Sequence, residues 1–73
     1  MTWNYRILDH GDHFALHEVF YSPRGKPNGW TENAISFTAH PEEGAEGVIG
    51  SLEMALADAR KHPVLRVKGE KLV

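Results

Sequence analysis

The chain has 73 residues, of which 41% are hydrophobic and 25% charged, with no cysteine and a formal net charge of −2 at pH 7. A chain this short predicts a single domain, residues 1–73, because it cannot build two hydrophobic cores. The composition excludes extensive disorder, and the lack of cysteine excludes a disulfide framework, thiolate catalysis and a cysteine-based zinc site. Since no apolar run approaches the ~18 residues of a membrane span and no signal-peptide pattern opens the chain, we expect a cytoplasmic protein with no membrane partner.

Three strand-like runs occupy the first half of the chain: residues 2–10, 13–22 and 27–32. The first run alternates apolar and polar residues, and the second is dense in apolar and aromatic residues, as a central strand is. Gly11 and the acidic residues around it predict a tight turn between the two. Before the third run, Pro23 and Gly25 fit a type I turn followed by a glycine bulge. Pro27 cannot donate a hydrogen bond to a neighbouring strand and therefore predicts an edge strand.

The register of the hairpins decides which side chains share a face of the sheet. With a two-residue loop that starts at Gly11, and with Ser22 opposite Lys26, one face holds these residues: Trp3, Tyr5, Ile7, Leu16, Glu18, Phe20 and Trp30. A shift of one residue in the first hairpin would instead pair Arg6 with Glu18 across the strands. We favour the first register because it collects both tryptophans on one face.

A single amphipathic helix follows at residues 45–62, where apolar residues recur at i, i+3, i+4 and i+7 before Pro63 ends the helix. One helix after a three-stranded antiparallel meander predicts an α+β fold of the order β-β-β-α, in which the helix covers one face of the sheet. Residues 34–38 and 64–67 are candidates for a short extra strand. The predicted core lies between that face and the helix: Trp3, Tyr5, Ile7, Leu16, Phe20, Ile49, Leu52 and Leu56.

Charge is distributed unevenly along the chain. Residues 1–59 carry three cations and nine acids, whereas residues 60–73 carry five cations and one acid. The first two of these cations complement the negative end of the helix dipole, and residues 66–73 are predicted to be a flexible basic tail. A second interpretation is that the five cations contact the phosphates of a nucleic acid: Arg60, Lys61, Arg66, Lys68 and Lys71.

Three of the five histidines lie close together beside acidic residues: His10, His13 and His17. Imidazole and carboxylate groups suit a divalent metal, but His13 and His17 are about 13 Å apart on a strand at roughly 3.3 Å per residue. His17 and Glu18 point to opposite faces of a strand, so they cannot act as a catalytic pair. We therefore expect no metal, no cofactor and no enzymatic activity.

The face of the sheet that the helix leaves uncovered is the predicted functional surface. It mixes apolar, aromatic and cationic side chains, which is typical of the centre of a protein interface. We expect a non-catalytic interaction module that binds a protein partner or a second copy, through this face or through the edge of the third strand. The predicted binding residues are Arg6, His17, Val19, Tyr21 and Thr31.

Four short segments, WNYRI, ALHEVFY, WTE and PVL, stand in this order at residues 3–7, 15–21, 30–32 and 63–65. With them the chain resembles a family of very short uncharacterised bacterial proteins, which supports the fold and implies no activity or ligand. The chain departs from the family's usual helix start at residues 46–50. The β-β-β-α order is also similar to the N-terminal domain of HicB-type antitoxins, which implies a partial double-stranded-RNA-binding-domain fold. The alternative function is thus a nucleic-acid-associated regulator, or an antitoxin-like protein, that uses the C-terminal cations.

Overall fold

The computed structural model describes residues 2–73, which form five strands and one helix. The elements in chain order are β1 (Thr2–Asp9), β2 (Phe14–Tyr21), β3 (Pro27–Trp30), α1 (Gly44–Lys61), β4 (Leu65–Lys68) and β5 (Lys71–Leu72). The strands form one sheet in the order β3-β2-β1-β4-β5, where β4 runs parallel to β1 and the other neighbours are antiparallel. The predicted α+β class is confirmed, and the predicted meander is one part of a larger mixed sheet.

The first hairpin has the predicted two-residue loop and the favoured register. Gly11 adopts a φ of 95°, which glycine reaches without strain, and the amide of His10 donates to the carbonyl oxygen of His13 at 2.9 Å. The pairs across β1 and β2 include the three expected ones: Trp3 with Phe20, Tyr5 with Glu18 and Ile7 with Leu16. The alternative register is excluded, because Arg6 lies opposite His17.

The turn between β2 and β3 also forms as predicted. The amide of Gly25 donates to the carbonyl oxygen of Ser22 at 2.8 Å, and the amide of Ser22 donates to that of Lys26 at 2.8 Å. Gly25 has a φ of 81°, the left-handed conformation that closes such a turn. β3 then lies at the edge of the sheet, where Pro27 has no need to donate a hydrogen bond.

A bulge in β3 changes the position of one tryptophan. Asn28 is an extra residue in the pairing of β3 with β2, so Trp30 lies opposite Val19. The prediction that Trp30 shares a face with Trp3 and Glu18 is therefore wrong. One inserted residue moves every later side chain of a strand to the other face, and the sequence carries no signal for this insertion.

The C-terminal residues 66–73 do not form the flexible tail that was predicted, and lie in a hairpin instead. β4 pairs with β1, with Leu8 opposite Leu65, and β5 folds back on β4 through a turn in which Gly69 has a φ of 62°. The candidate strand after the helix is thus confirmed as β4, whereas residues 34–38 do not form a strand.

The sheet curls around one of its faces. In a flat sheet β3 and β5 would lie about 19 Å apart, at roughly 4.8 Å between neighbouring strands, but here these two strands are in contact. The enclosed face holds the three most deeply buried side chains, since Leu8 and Val19 are 0% exposed and His17 is 2% exposed, and it also holds Arg6, which is 8% exposed. This is the face that was predicted to be open, and that prediction is wrong because the C-terminal hairpin closes it.

The helix α1 lies against the opposite, convex face of the sheet. It ends before Pro63 as predicted, and most of the residues that it turns toward the sheet are small and four residues apart: Gly47, Ser51, Ala55 and Ala59. Val48 and Asp58 are half-buried beside them. Ala55 is buried at 4% exposure. A carboxylate oxygen of Asp58 accepts a hydrogen bond from the backbone amide of Tyr5 at 3.1 Å, at a point on β1 that the pairing with β4 does not reach.

The predicted core is only partly correct. Tyr5 is buried, whereas four of the predicted core residues are exposed: Trp3 by 44%, Ile49 by 44%, Leu52 by 47% and Leu56 by 53%. The segment between β3 and α1 explains part of the difference, because it places the ring of Phe37 6.1 Å from the ring of Tyr5 on the convex face. The helix therefore packs through its small residues, and its larger side chains stay at the surface.

Replacing Gly50 by alanine is expected to raise the free energy of unfolding by about 1 kcal/mol, because alanine forms helix better than glycine. A Cβ atom at Gly50 would meet no atom within 4 Å. Gly47→Ala is the matched control, since a Cβ there would lie 2.8 Å from the Cβ of Ala39. Urea denaturation measures both variants. Equal stabilisation by the two substitutions would contradict the close approach of α1 to residue 39.

Candidate functional site

Arg6 sits inside the enclosed face, where it joins three parts of the chain. Its Nε and Nη2 donate to the carbonyl oxygen of Pro63, and its Nη1 donates to the hydroxyl oxygen of Tyr21 at 3.1 Å. That hydroxyl donates in turn to Oδ1 of Asn4 at 2.8 Å. Arg6 forms no ion pair within residues 2–73, so its charge is balanced by hydrogen bonds to neutral oxygen atoms. The arginine thus holds β1, β2 and the chain after α1 together.

His17 is the second buried polar residue of this face. Its Nδ1 lies 2.9 Å from the carbonyl oxygen of Thr31 and 3.2 Å from Oγ1 of the same residue, and its Nε2 lies 3.0 Å from Nε2 of His10. A carbonyl oxygen only accepts, so Nδ1 of His17 carries the proton and Nε2 accepts one from His10. Burial lowers the pKa of His17, and the charges of His10 and His13 lower it further, against the raising effect of the Thr31 hydrogen bond.

We expect the protein to lose stability as the pH falls below 6.5, the ordinary pKa of histidine. The pKa of His17 is lower in the folded chain than in the unfolded chain, so the unfolded chain binds its proton first. The contribution of His17 is therefore complete above pH 6.5 and is lost between that value and its lowered folded pKa. Urea denaturation across this range measures the effect, with the exposed His40 replaced by alanine as a control. An unchanged pH dependence in His17→Gln would contradict this assignment.

The predicted binding residues therefore do not form a surface. Arg6, His17 and Val19 are buried, while Tyr21 and Thr31 are half-buried and bonded to the first two of these residues. Four of the five, Arg6, His17, Val19 and Tyr21, share one face of β1 and β2 as predicted, but that face lies inside the curled sheet. Thr31 follows the end of β3 and contacts His17 from there. The five residues act in holding the fold together, and the prediction that they form an exposed binding surface is wrong.

The other two clustered histidines lie at the tip of the first hairpin. The rings of His10 and His13 stack with their centroids 4.7 Å apart, and Nδ1 of His13 lies 2.6 Å from Oδ1 of Asp12. The hydrogen bond and charge of His13 lower the pKa of Asp12. No group of three or more metal-ligating side chains is found among residues 2–73. The absence of a bound metal stays a prediction.

The five C-terminal cations are all exposed and lie in two places. Arg60 and Lys61 occupy the last turn of α1, where they complement the helix dipole. The other three lie on the β4–β5 hairpin, with Lys68 directly opposite Lys71 and Arg66 two residues before Lys68 on the same side of the strand. The hairpin thus presents a short row of positive charge to solvent.

An apolar groove lies between α1 and the convex face of the sheet, and we call it the helix groove. It is open to solvent and has a volume of about 410 Å³. The residues that line it are all apolar: Ile7, Phe14, Ala15, Leu16, Phe37, Leu52, Ala55, Leu56 and Ala59. Phe14 is 66% exposed, and Leu52 and Leu56 are about half exposed. None of its lining residues belongs to the C-terminal hairpin.

Sequence reasoning missed the helix groove because it assigned Leu52 and Leu56 to the core. The sequence of the helix is also compatible with packing through its small apolar residues, since its apolar residues include both small and large side chains. A helix that packs through Ala55 and Ala59 leaves the larger side chains beside them facing outward. Periodicity gives the apolar stripe of a helix but does not say which edge of the stripe meets the sheet.

No protein-family model matches the chain, and no curated protein or solved structure is significantly similar to it. The resemblance to a family of short bacterial proteins and the likeness to HicB-type antitoxins therefore stay predictions. Among the described residues 2–73, α1 is not long and apolar enough to cross a membrane. The cytoplasmic location stays a prediction as well.

Proposed function

We propose that this protein is a small non-catalytic interaction module that binds another protein chain through the helix groove. The observation that carries the proposal is the exposure of Phe14, Leu52 and Leu56 side by side along one groove. Single exposed apolar side chains are common on protein surfaces, but a contiguous apolar groove is typical of a binding site. The partner-binding surface thus moves from the predicted sheet face to the opposite side of the sheet.

The chemistry of the groove favours binding over catalysis. Its lining residues carry no titratable side chain that could serve as an acid, a base or a nucleophile. The histidines of the first hairpin are engaged with one another and with Thr31 and Asp12. An apolar, open groove with aromatic and leucine side chains is well suited to receive the apolar face of a helix.

Site-specific photo-cross-linking in living cells tests this proposal. A photoreactive amino acid replaces Leu56 in the groove, and the same amino acid replaces Arg24 in the exposed turn after β2 as the control. We expect cross-linked protein adducts from position 56 that position 24 does not give, whether the partner is a second copy or another protein. A lack of protein adducts at position 56 above the level at position 24 would overturn the proposal.

The basic face of the β4–β5 hairpin supports a second candidate function, that of a nucleic-acid-associated or antitoxin-like regulator. Arg66, Lys68 and Lys71 point outward, while Val67 and Leu72 on the other side of the hairpin are half-buried. This arrangement presents cations at strand spacing, which suits contacts with successive phosphates. It offers no aromatic side chain for stacking on bases, so it ranks below protein binding.

Gel-shift titration with generic RNA and DNA decides between the two functions. Binding through the hairpin should weaken steeply with salt, because each phosphate contact releases a counterion. It should also be lost in a Lys68→Glu, Lys71→Glu variant and kept in Lys26→Glu, which changes a lysine outside the hairpin. If the protein acts by binding another protein through the helix groove, we expect no salt-dependent binding of RNA or DNA through the hairpin.

A further inference from the structure

We propose that the occupant of the helix groove is a second copy of this chain, whose α1 packs antiparallel to the first α1 across a two-fold axis. This inference rests on the proposed function and names the partner. It is carried by three features of α1: the spacing of its exposed apolar residues, the positions of its charges, and the mixture of ridge and groove on one surface.

Four exposed apolar residues of α1, together with the half-buried Ala59 at its C-terminal end, form a regular seam. Ala45, Ile49, Leu52, Leu56 and Ala59 follow one another at intervals of four, three, four and three residues. This is the a and d pattern of a coiled coil, in which the seam of one helix packs against the seam of another. Within this chain the seam has no such partner, since Ile49, Leu52 and Leu56 are 44–53% exposed. The α1 helix therefore has the apolar surface of a helix that pairs with a second helix, and no second helix among residues 2–73 packs against it.

The charges beside the seam favour an antiparallel pair. Glu46 and Arg60 each follow a seam residue directly, so they flank the seam on the same side, about 21 Å apart at roughly 1.5 Å per residue. An antiparallel pair brings Glu46 of each copy next to Arg60 of the other, twice by symmetry. A parallel pair would place Glu46 and Arg60 of the two copies on opposite sides of the seam, so it would form neither of these ion pairs.

The same alignment fits the sizes of the apolar side chains. When Glu46 lies near Arg60 of the second copy, Leu52 packs against its Leu56, and the smaller Ala59 faces its Ile49. Glu53 lies close to the two-fold axis and meets Glu53 of the second copy. It sits at the edge of the seam, where its carboxylate keeps contact with water and the repulsion is weakened.

The surface is also self-complementary, as a two-fold interface must be. Leu52 and Leu56 form a ridge on α1, and they also border the helix groove with Phe14 and Leu16 behind them. Under a two-fold rotation the ridge of each copy faces the groove of the other, so both are covered in one contact. A protein this small has a modest core, and burying Phe14 and the seam in a dimer would add to its stability.

Sedimentation velocity over a range of concentrations tests the dimer. We expect the native chain to dimerise, and Leu56→Asp to weaken dimerisation by roughly 100-fold or more while its circular dichroism stays native, because Leu56 is 53% exposed in the single chain. Met54→Asp is the matched control: Met54 is 52% exposed on the same helix but lies outside the seam. It should dimerise like the native chain.

Cysteine cross-linking tests the direction of the two helices, and the natural chain has no cysteine to interfere. With Glu53→Cys, a short bismaleimide should link the two copies efficiently, because residue 53 lies near the two-fold axis. Glu46→Cys should not be linked, since the two copies of residue 46 would lie about 21 Å apart along the helices. Efficient linking at residue 46 would show that the two copies of this residue lie close together and would overturn the proposed antiparallel arrangement.

The outcomes separate this inference from the proposed function. A native chain that stays monomeric, with photo-adducts from position 56 to a different protein, overturns the second copy as occupant and leaves the helix groove as a binding site. A monomeric chain with no such adducts overturns both. A dimer that persists in Leu56→Asp shows that copies associate elsewhere and overturns the pairing through α1.

Discussion

Leu8→Ala is expected to lower the free energy of unfolding by about 2–5 kcal/mol, the range for a large apolar side chain removed from a closed core. Leu8 is 0% exposed and lies on the enclosed face between the central strands and the C-terminal hairpin. The whole stability of a domain of this size is about 3–5 kcal/mol, so we expect most molecules of the variant to be unfolded at 37 °C in the absence of a partner. Urea denaturation at a low protein concentration measures the change.

Leu52→Ala provides the contrast, because the sequence predicts that Leu52, and not Leu8, lies in the core. Leu52 is 47% exposed in the structure, so its truncation should change the free energy of unfolding of the single chain by less than about 1 kcal/mol. Comparing the losses of stability in the two variants therefore shows which face of the sheet holds the core. Equal losses from Leu8→Ala and Leu52→Ala would contradict the position of the core described here.

Arg6→Ala is expected to cost about 2–4 kcal/mol, which is unusual for an arginine because most arginines lie on the surface. The substitution removes the donors to the carbonyl oxygen of Pro63 and to the hydroxyl of Tyr21, and it leaves both oxygen atoms without this partner. Thermal or urea denaturation measures the loss. Arg24→Ala is the control, since Arg24 is exposed in a turn and should change stability by less than about 0.5 kcal/mol.

Arg6→Lys separates the geometry of the guanidinium from its charge. Lysine keeps the positive charge but cannot place two donors on one carbonyl oxygen and a third on the hydroxyl of Tyr21. We expect a loss of stability between those of Arg6→Ala and the native chain. Full stability in Arg6→Lys would show that the hydrogen bonds to Pro63 and Tyr21 contribute little.

Local features of the fold could be predicted from the sequence wherever a residue type leaves the backbone few alternatives. Gly11 and Gly25 mark the two turns and both have positive φ, while Pro63 follows the end of α1. The register of β1 and β2 was predicted because it collects both tryptophans on one face. The structure has this register, although the bulge at Asn28 moves Trp30 to the other face. These choices depend on neighbours along the chain.

Features that depend on distant residues could not be predicted in the same way. Asn28 shifts the pairing of β3 with β2 by one residue, and nothing in the composition of β3 indicates this shift. The C-terminal strands are short and rich in lysine and arginine, a composition that is typical of a solvated tail. Only the pairing of β4 with β1 in the structure shows that these strands close the sheet. The burial of Arg6 follows from that closure. The bulge and the pairing of the C-terminal strands both had to be predicted correctly before the enclosed face of the sheet could be distinguished from the exposed one.

The candidate site was missed for a related reason. Apolar spacing in α1 identified Leu52 and Leu56 as important residues but assigned them to the interior, since a helix behind a small sheet is expected to cover it. The small residues Gly47 and Ala55 take that inner position in the structure. A sequence pattern that would serve an internal helix equally serves one that pairs with another chain.

The parallel pairing of β1 with β4 has a consequence for how the protein is made. Leu8 meets Leu65, so the contact joins residues 57 positions apart in the chain, and contacts of such long range slow folding because a large loop must close first. During synthesis on the ribosome, a nascent chain that ends before residue 65 has both antiparallel hairpin partners of β2 but lacks the strands that cover His17 and Val19. Its apolar and polar interior stays open to water and to other chains until β4 and β5 emerge. The enclosed face therefore closes only after residues 65–72 have left the ribosome.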